Sequence, residues 1–338
     1  MPDNLNAVSV YCGFKYTVVL MNDGSLHCCG NNDNGQFGNN SNTSNNNTLT
    51  RMTTMPTDLT SIYVSCGQTH TISLMNNGTI YGCGSNNSGQ LGTGAISISS
   101  TTVKNLSMPD NLTAKTVSCG YDSTLVLMND GSIYGCGYNQ YGQLGYGSIS
   151  HSTDKLNKMT SMPIDLSAVS VCCGQTHTVV LMNDGTLYGC GTNHSGQLGT
   201  GAISFNAVKQ LTKMTTMPTD LSAISVSCGE NYTVVLMNDG SVYGCGSNTA
   251  GQLGMNVSYS VSRLTKMSIN LKAISVACGI NHTVVLMSNG MVYGCGSNNF
   301  GQLTGDADRY TTLTQMIIPN GSTVKTISCG GNFTIIGT

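Results

Sequence analysis

A β-propeller of seven blades, each of four antiparallel strands and the last one incomplete, is the all-β fold this sequence predicts. Three observations point to it. A Cys-Gly dipeptide followed by a short hairpin pattern returns seven times, at Cys12, Cys66, Cys119, Cys173, Cys228, Cys278 and Cys329, with separations of 54, 53, 54, 55, 50 and 51 residues. A period near 50 without a helical pattern marks propeller blades rather than a helical solenoid. The composition agrees: 42 glycines, no tryptophan and one glutamate, Glu230, in 338 residues leave few strong helix formers, while Val, Ile, Thr and Tyr favour strands. One domain over residues 1–338 is expected, with repeats beginning near 7, 61, 114, 168, 223, 273 and 324.

The fifth copy shows the elements in order. A first strand, Ile224 to Cys228, leads through Gly229-Glu230-Asn231 into a second, Thr233 to Met237. Asn238-Asp239-Gly240 then supplies a hairpin turn, because Asp and Gly accept positive φ at low cost. A third strand, Ser241 to Gly244, precedes the loop Gly246 to Gly254, and a weaker fourth strand near Ser262 to Met267 completes a four-stranded blade. The seventh copy, Ser322 to Thr338, carries only the first two strands, so an open edge is expected at Asn332 to Ile336.

Six loops of the form G-x-N-x-x-G-Q-[LF]-G stand at Gly30 to Gly38, Gly84 to Gly92, Gly137 to Gly145, Gly191 to Gly199, Gly246 to Gly254 and Gly296 to Thr304, the last with Thr304 for the final glycine. A C-G-x-x-H-T hairpin is intact at Cys66 to Thr71, Cys173 to Thr178 and Cys278 to Thr283. With the D-G turns, these motifs resemble the RCC1 (regulator of chromosome condensation) repeat family over nearly the whole chain. The resemblance implies a seven-bladed propeller. One departure is systematic: where the family often has Trp-Gly at the end of the third strand, this chain has Cys-Gly.

The cysteines form six C-x16-C pairs: Cys12 with Cys29, Cys66 with Cys83, Cys119 with Cys136, Cys173 with Cys190, Cys228 with Cys245, and Cys278 with Cys295. First and third strands of a meander run the same way with the second between them, which puts each pair about 9.5 Å apart. A disulfide needs Cα atoms within about 7 Å, so bridges within the pairs are not expected. Nor is a repeated zinc site, because the histidine position becomes Tyr16, Ser123, Tyr232 and Phe333 in other copies and a metal site keeps its ligands. Buried small thiols packing the blades is the reading adopted. Cys28 and Cys172 each neighbour a repeat cysteine and point to the opposite face; they are the candidates for exposed thiols.

Other signals read as structural. Gly82-Cys83-Gly84 precedes no helix and lacks the third glycine of a dinucleotide loop. His70, His177 and His282 are expected to hydrogen-bond within their own hairpins, since no carboxylate or nucleophile recurs beside them. Met21, Met75, Met128, Met182, Met237 and Met287 close the second strand and are expected to pack between blades. Sequons such as Asn42, Asn46, Asn105, Asn111 and Asn256 accompany a richness in Asn, Ser and Thr of the kind found in AT-rich genomes, including amoebae and their giant viruses. The Asn-rich stretch Asn39 to Thr50 is low-complexity.

These observations bound the function. Charged residues make up 8% of the chain and the net charge is -2, so there is no basic footprint for nucleic acid. No stretch of about 18 apolar residues marks a membrane span, and no signal peptide is read at the start, which suggests a cytoplasmic protein or one packaged in a viral particle. No catalytic, cofactor-binding or metal-binding residue is expected, and no enzyme. Free domains carry about 25–35% charged residues on their surface, so the low charge suggests a structural scaffold that binds protein partners or itself, as in a virion or coat layer. The alternative, implied by the RCC1 resemblance, is a guanine-nucleotide exchange factor or binding partner of a small GTPase. A light sensor of the family's plant branch depends on tryptophans, and this chain has none. Recognition is assigned to the variable loops 39–50, 93–102, 146–154, 200–208 and 255–262, which share one repeat position.

Overall fold

The computed structural model describes residues 5–43, 46–269, 271–318 and 323–338, and among them strands are the only regular elements. The chain divides into two compact units, Met1–Gln140 with Leu144–Met162, and Tyr141–Gln143 with Pro163–Thr338.

The first unit holds three four-stranded antiparallel sheets in simple up-and-down order. Blade 1 is β1 (Ala7–Cys12), β2 (Tyr16–Met21), β3 (Leu26–Gly30) and β4 (Asn46–Arg51); blade 2 is β5 (Ser61–Cys66), β6 (His70–Met75), β7 (Ile80–Ser85) and β8 (Ser99–Asn105). Blade 3 is β9 (Ala114–Cys119), β10 (Ser123–Met128), β11 (Ile133–Asn139) and β12 (Ser150–Lys158). The second unit holds three more sheets of the same order. Blade 4 is β13 (Ala168–Cys173), β14 (His177–Met182), β15 (Leu187–Asn193) and β16 (Ser204–Lys213); blade 5 is β17 (Ala223–Cys228), β18 (Tyr232–Met237), β19 (Val242–Gly246) and β20 (Val261–Lys266). Blade 6 is β21 (Ala273–Cys278), β22 (His282–Met287), β23 (Val292–Ser297) and β24 (Arg309–Gln315), and a two-stranded hairpin, β25 (Thr326–Cys329) with β26 (Thr334–Gly337), follows it.

Among the described residues there are therefore six four-stranded blades, not seven, and the expectation of a seventh, incomplete blade is corrected. The Cys-Gly motif marks only the turn after a first strand. A blade also needs a third strand with its Asn-Gln loop, and the hairpin β25–β26 has neither. The loops record the same difference. A Cβ built on Gly35, Gly89, Gly196 or Gly251 would lie 2.7, 2.6, 2.5 or 2.7 Å from the Cα of Thr101, Asp154, Ser262 or Thr311, on the fourth strand of the following blade. On Gly301 of blade 6 it would meet nothing within 4 Å. The expected open edge began at Asn332, but the second strand of the hairpin starts at Thr334; Ser322, the expected start of this copy, lies outside the described residues.

Within a blade the sequence sets each strand's surroundings. Every second strand is buried along its whole length, from Tyr16–Met21 to His282–Met287, because both faces of a central blade strand are covered; it reads as a continuous apolar run rather than an alternation. First strands are covered less completely and carry a bulge: in β13 Ala168 and Val171 are buried and Val169 is exposed, and the pairing register shifts between Ala168 and Ser170. The D-G turn between second and third strands is locked by its own acid: Asp239 Oδ1 accepts hydrogen bonds from the Ser241 amide at 2.8 Å and the Ser241 hydroxyl at 2.5 Å, while Gly240 takes φ +84°. The core lies in the seams between neighbouring blades. One cluster joins Ile72, Leu74 and Leu91 of blade 2 to Val117, Val126 and Met128 of blade 3; another joins Val234, Leu236 and Leu253 of blade 5 to Val285 and Met287 of blade 6. The expected interblade place of the methionines holds there.

Candidate interaction surface

Each loop of the G-x-N-x-x-G-Q-[LF]-G type is fixed by its own polar side chains. In blade 5 the buried Asn248 accepts from the Leu253 amide at 2.8 Å and donates to the Val257 carbonyl at 2.7 Å; Asn86 does the same in blade 2 with Leu91 and Ala95. Gln90 accepts from the Ser88 amide at 2.9 Å and donates to Ser85 Oγ and Asp122 Oδ1. In these two blades the motif's Asn and Gln are thus occupied in holding the loop; in blade 3 Gln143 accepts from the Tyr141 amide while its Nε2 is buried without a partner. The effect of the bonded side chains is to present the chain that follows as a rigid rim, since buried polar groups with complete partners fix geometry.

The loop's main chain also latches the next blade. The Gln90 carbonyl accepts from Thr124 Oγ1 at 2.8 Å and Cys136 Sγ at 3.5 Å; the Gln197 carbonyl does so from Thr233 and Cys245, and the Gln252 carbonyl from Thr283 and Cys295. Strand register explains the C-x16-C spacing. Cys66 faces Thr71, which faces Cys83, and Cys228 faces Thr233, which faces Cys245. Every blade carries such a Cys-Thr-Cys rung, and all fifteen cysteines are thiols. Burial pushes the Cys119, Cys190 and Cys278 thiols up to about 12 and raises Cys83, Cys136, Cys245 and Cys295 further.

The histidines work across seams, not within their own hairpins as expected. His70 Nε2 lies 3.1 Å from Thr124 Oγ1 and His177 Nε2 lies 3.1 Å from Thr233 Oγ1, each on the next blade; His282 reaches Thr334 at 3.2 Å. Thr124 and Thr233 spend their hydroxyl protons on glutamine carbonyls, so the imidazoles donate from Nε2–H and leave Nδ1 bare. Those Nδ1 atoms are buried without a partner. Desolvation lowers His70 and His282 to about 4 and His177 to about 3, so all three are neutral at pH 7. Tyr16 and Tyr232 hold the same position elsewhere and bridge likewise, donating to the His70 and His282 carbonyls at 2.5 Å.

The two spare cysteines part company. Cys28 is fully buried, against expectation. Its position in other blades is glycine, at Gly82, Gly189 and Gly244, where a Cβ would press on Leu91, Leu198 or Leu253. In blade 1 Phe37 stands for that leucine, and Cys28 packs in its cluster. Cys172 stays partly exposed.

Four turn acids are held ionised with partners where they stand. Hydroxyl and amide donors hold Asp23, Asp130, Asp184 and Asp239 below the usual carboxylate range, with Arg51, Lys158, Lys213 and Lys266 at the ends of the fourth strands adding to the effect. Blades 2 and 6 place neutral pairs there, Asn77 with Asn105 and Asn289 with Gln315. Sequence reading missed this pairing, which a comparison of the two positions across repeats reveals.

Exposed apolar side chains stand on first strands (Val8, Ile62, Ile224, Ile274), on the connections before them (Ile164, Ile317), and on the variable loops and the starts of the fourth strands they feed. In this last group are Ile96, Ile98 and Ile149 in the first unit, and Ile203, Phe205 and Tyr259 in the second; Ile98 is 79% and Phe205 92% exposed. Fourth strands begin inside the expected loops, at Ser99, Ser150, Ser204 and Val261, which stiffens them; residues 44 and 45 of the first loop lie outside the described residues. Adjacent blades are stitched along this rim, by the Gly94 amide to the Asp154 carbonyl at 2.8 Å in one unit and the Gly201 amide to the Ser262 carbonyl at 2.9 Å in the other. Within each unit the loops therefore form a continuous face.

Among the described residues no group of three or more His, Cys, Asp or Glu side chains is placed to hold a metal ion, and no helix is long and apolar enough to cross a membrane. Human HERC6, named a probable E3 ubiquitin-protein ligase, is 29% identical over 244 residues, which cover 72% of this chain and 23% of that protein. The ultraviolet-B receptor UVR8 of Arabidopsis thaliana is 30% identical over 261 residues, 75% of this chain and 56% of the receptor. The chain thus spans less than two thirds of either relative. Prp20p from Saccharomyces cerevisiae, whose crystal structure is described together with its binding to Gsp1p and histones, superposes with a TM-score of 0.86 at 21% identity, over 98% of this chain and 82% of that one; at that identity the likeness is one of fold. The RCC1-like domain family model matches residues 1–336, and the chain belongs to that family.

Proposed function

We propose that this chain is a non-enzymatic, protein-binding RCC1-like propeller that holds its partner on the rim formed by the loops between third and fourth strands. The observation that carries the reading is the exposure of Ile98 and Phe205 on loops whose bases are fixed by buried asparagine hydrogen bonds. Rigid, uncharged apolar side chains at a loop face lose little entropy on docking and favour a protein surface over a charged polymer. The virion or coat-layer reading rested on low charge alone, and the relatives described above give it no support.

Among protein partners a small GTPase is the reading the relatives favour, since Prp20p is described as binding Gsp1p. Histones fit this chain less well, because its turn carboxylates already have hydroxyl, amide and cationic partners. The test is nucleotide release from a panel of small GTPases loaded with a fluorescent GDP analogue. Acceleration by this chain, lost in an Ile203→Ser, Phe205→Ser double variant of unchanged melting temperature, supports exchange. Complex formation without acceleration keeps the binding reading and removes exchange. Binding that survives substitution of Ile98, Phe205 and Tyr259 together defeats the assignment of the rim.

A further inference from the structure

One seam differs chemically from its counterparts. Where first strands of neighbouring blades meet, the residue before the motif cysteine faces the next blade's motif cysteine. Ser65 Oγ accepts from the Cys119 amide at 2.9 Å, and Ser227 Oγ from the Cys278 amide at 3.1 Å. Between β13 and β17, in the second unit, that residue is Cys172. Its Sγ accepts from the Cys228 amide at 3.1 Å, while Cys228 Sγ donates to the Cys172 carbonyl at 3.6 Å. The corresponding residues at the other positions are Tyr11, Ser65, Ser118, Ser227, Ala277 and Ser328, so this is the copy in which two thiols share the contact. Both are partly exposed, whereas the third-strand cysteines Cys83, Cys190 and Cys245 are buried.

We propose that Cys172 and Cys228 form a reactive thiol pair, with Cys172 the nucleophile toward hydroperoxides and Cys228 the resolving thiol, and that their disulfide joins blade 4 to blade 5. A backbone amide 3.1 Å from a cysteine sulfur holds the two Cα atoms within about 7 Å, at the reach of a disulfide, which spans about 4.4–6.8 Å. That amide also supplies what a thiolate needs, a fixed donor aimed at sulfur. The Cys228 S–H adds a second donor by turning from the Cys172 carbonyl to the Cys172 sulfur as it ionises. These contacts hold the Cys172 thiol below its usual range, the Cys228 side chain contributing most, while burial raises Cys228. One thiol is thus set to attack and its neighbour to stay protonated until needed.

The chemistry closes with hydrogen peroxide as oxidant. The Cys172 thiolate attacks one peroxide oxygen, the O–O bond breaks, and the departing hydroxide takes up a proton to leave as water, with a sulfenic acid at Cys172. The Cys228 sulfur then attacks the sulfenic sulfur, the S–O bond breaks, and hydroxide leaves with the Cys228 proton as a second water. Two electrons pass from the two thiols to one peroxide.

The test treats the whole purified chain with one equivalent of hydrogen peroxide, blocks remaining thiols, and maps a non-reduced digest by mass spectrometry. A Cys172–Cys228 cross-linked peptide that disappears with dithiothreitol is the expected result. Cys172→Ser recreates the Ser-amide contact of the other seams, so it should fold and form no cross-link. In untreated protein Cys172 should alkylate about tenfold faster than the buried rung cysteines, a readout independent of any variant. The proposal is overturned if peroxide links Cys172 to Cys173, if Cys172 is recovered unlinked, or if it alkylates no faster than Cys190 and Cys245.

Discussion

Gly251 and Gly301 hold the same place in consecutive blades and live in different surroundings. Gly251 is buried against Thr311 of blade 6, while Gly301 is exposed and has nothing within 4 Å of its missing side chain. Their loops are otherwise alike: Asn248 accepts from the Leu253 amide at 2.8 Å, and Asn298 from the Leu303 amide at 2.7 Å. Ala250 sits part-buried beside the first, and Phe300 stands 73% exposed beside the second. The loop's conformation is therefore encoded locally, by Asn and positive φ. Its tolerance of a side chain is set by whether a neighbouring fourth strand lies against it, as Thr311 does against Gly251.

The largest effect that would break this comparison is the response to alanine. Gly251→Ala combines a strained positive φ with a backbone clash and should cost about 4 kcal/mol. Gly301→Ala meets only the strain, about 1 kcal/mol. Denaturant midpoints of the two variants would decide; equal losses would show that the seam adds nothing.

Next in size is the acid response of the seam histidines. His177 is lowered to about 3 and His282 to about 4 from 6.5, so the unfolded chain binds protons the fold refuses. Stability is full above about pH 6.5 and falls as pH drops toward 4, by roughly 3 kcal/mol for a histidine shifted to that extent. Replacing His177 by Tyr, the residue that bridges at positions 16 and 232, should make melting temperature fall less steeply between pH 6.5 and 4, with His70 and His282 supplying the remaining slope. A Tyr variant as acid-sensitive as the parent would refute the linkage.

Smaller still is the difference in thiol protection. Cys245 and Cys295 are buried and donate to glutamine carbonyls at 3.5 and 3.3 Å. Both should resist iodoacetamide until denaturant is added, as alkylation followed by peptide mapping would show. The smallest effect belongs to the rim: Phe300→Ser should change stability by less than about 0.5 kcal/mol, read from the melting temperature.

What was legible in the sequence follows the range of the interaction. The strands of blades 1 to 6, the D-G turns and the Asn-Gln loops rest on partners within the same repeat, and they appear where propensity and spacing put them. The burial of Cys28 depends on Phe37 replacing leucine across its own blade. The histidines' partners lie 52 to 56 residues away, on a strand whose identity spacing alone does not reveal. The blade count failed for a related reason: Cys-Gly marks the entry to a hairpin, and two strands satisfy it as well as four. The rim was legible as a position but not as an apolar face, because Ile98 and Phe205 become conspicuous only once neighbouring side chains are seen to be covered.

The carbonyl of each loop glutamine has a further consequence, for how such a chain tolerates mutation. At the seam between blades 4 and 5 the acceptor is the main-chain oxygen of residue 197, and the donors are the side chains of Thr233 and Cys245. No substitution at 197 that keeps the backbone in place removes that oxygen, whereas one change at 233 deletes a donor. Errors in the latch are therefore one-sided: the acceptor needs no particular side chain, whereas the donors must be kept. Gln197 is constrained only by the bonds that hold its own loop, to the Ser195 amide and Thr192 Oγ1. Neighbouring copies can diverge without having to change in step, and a duplicated blade arrives able to grip whatever copy stands next to it.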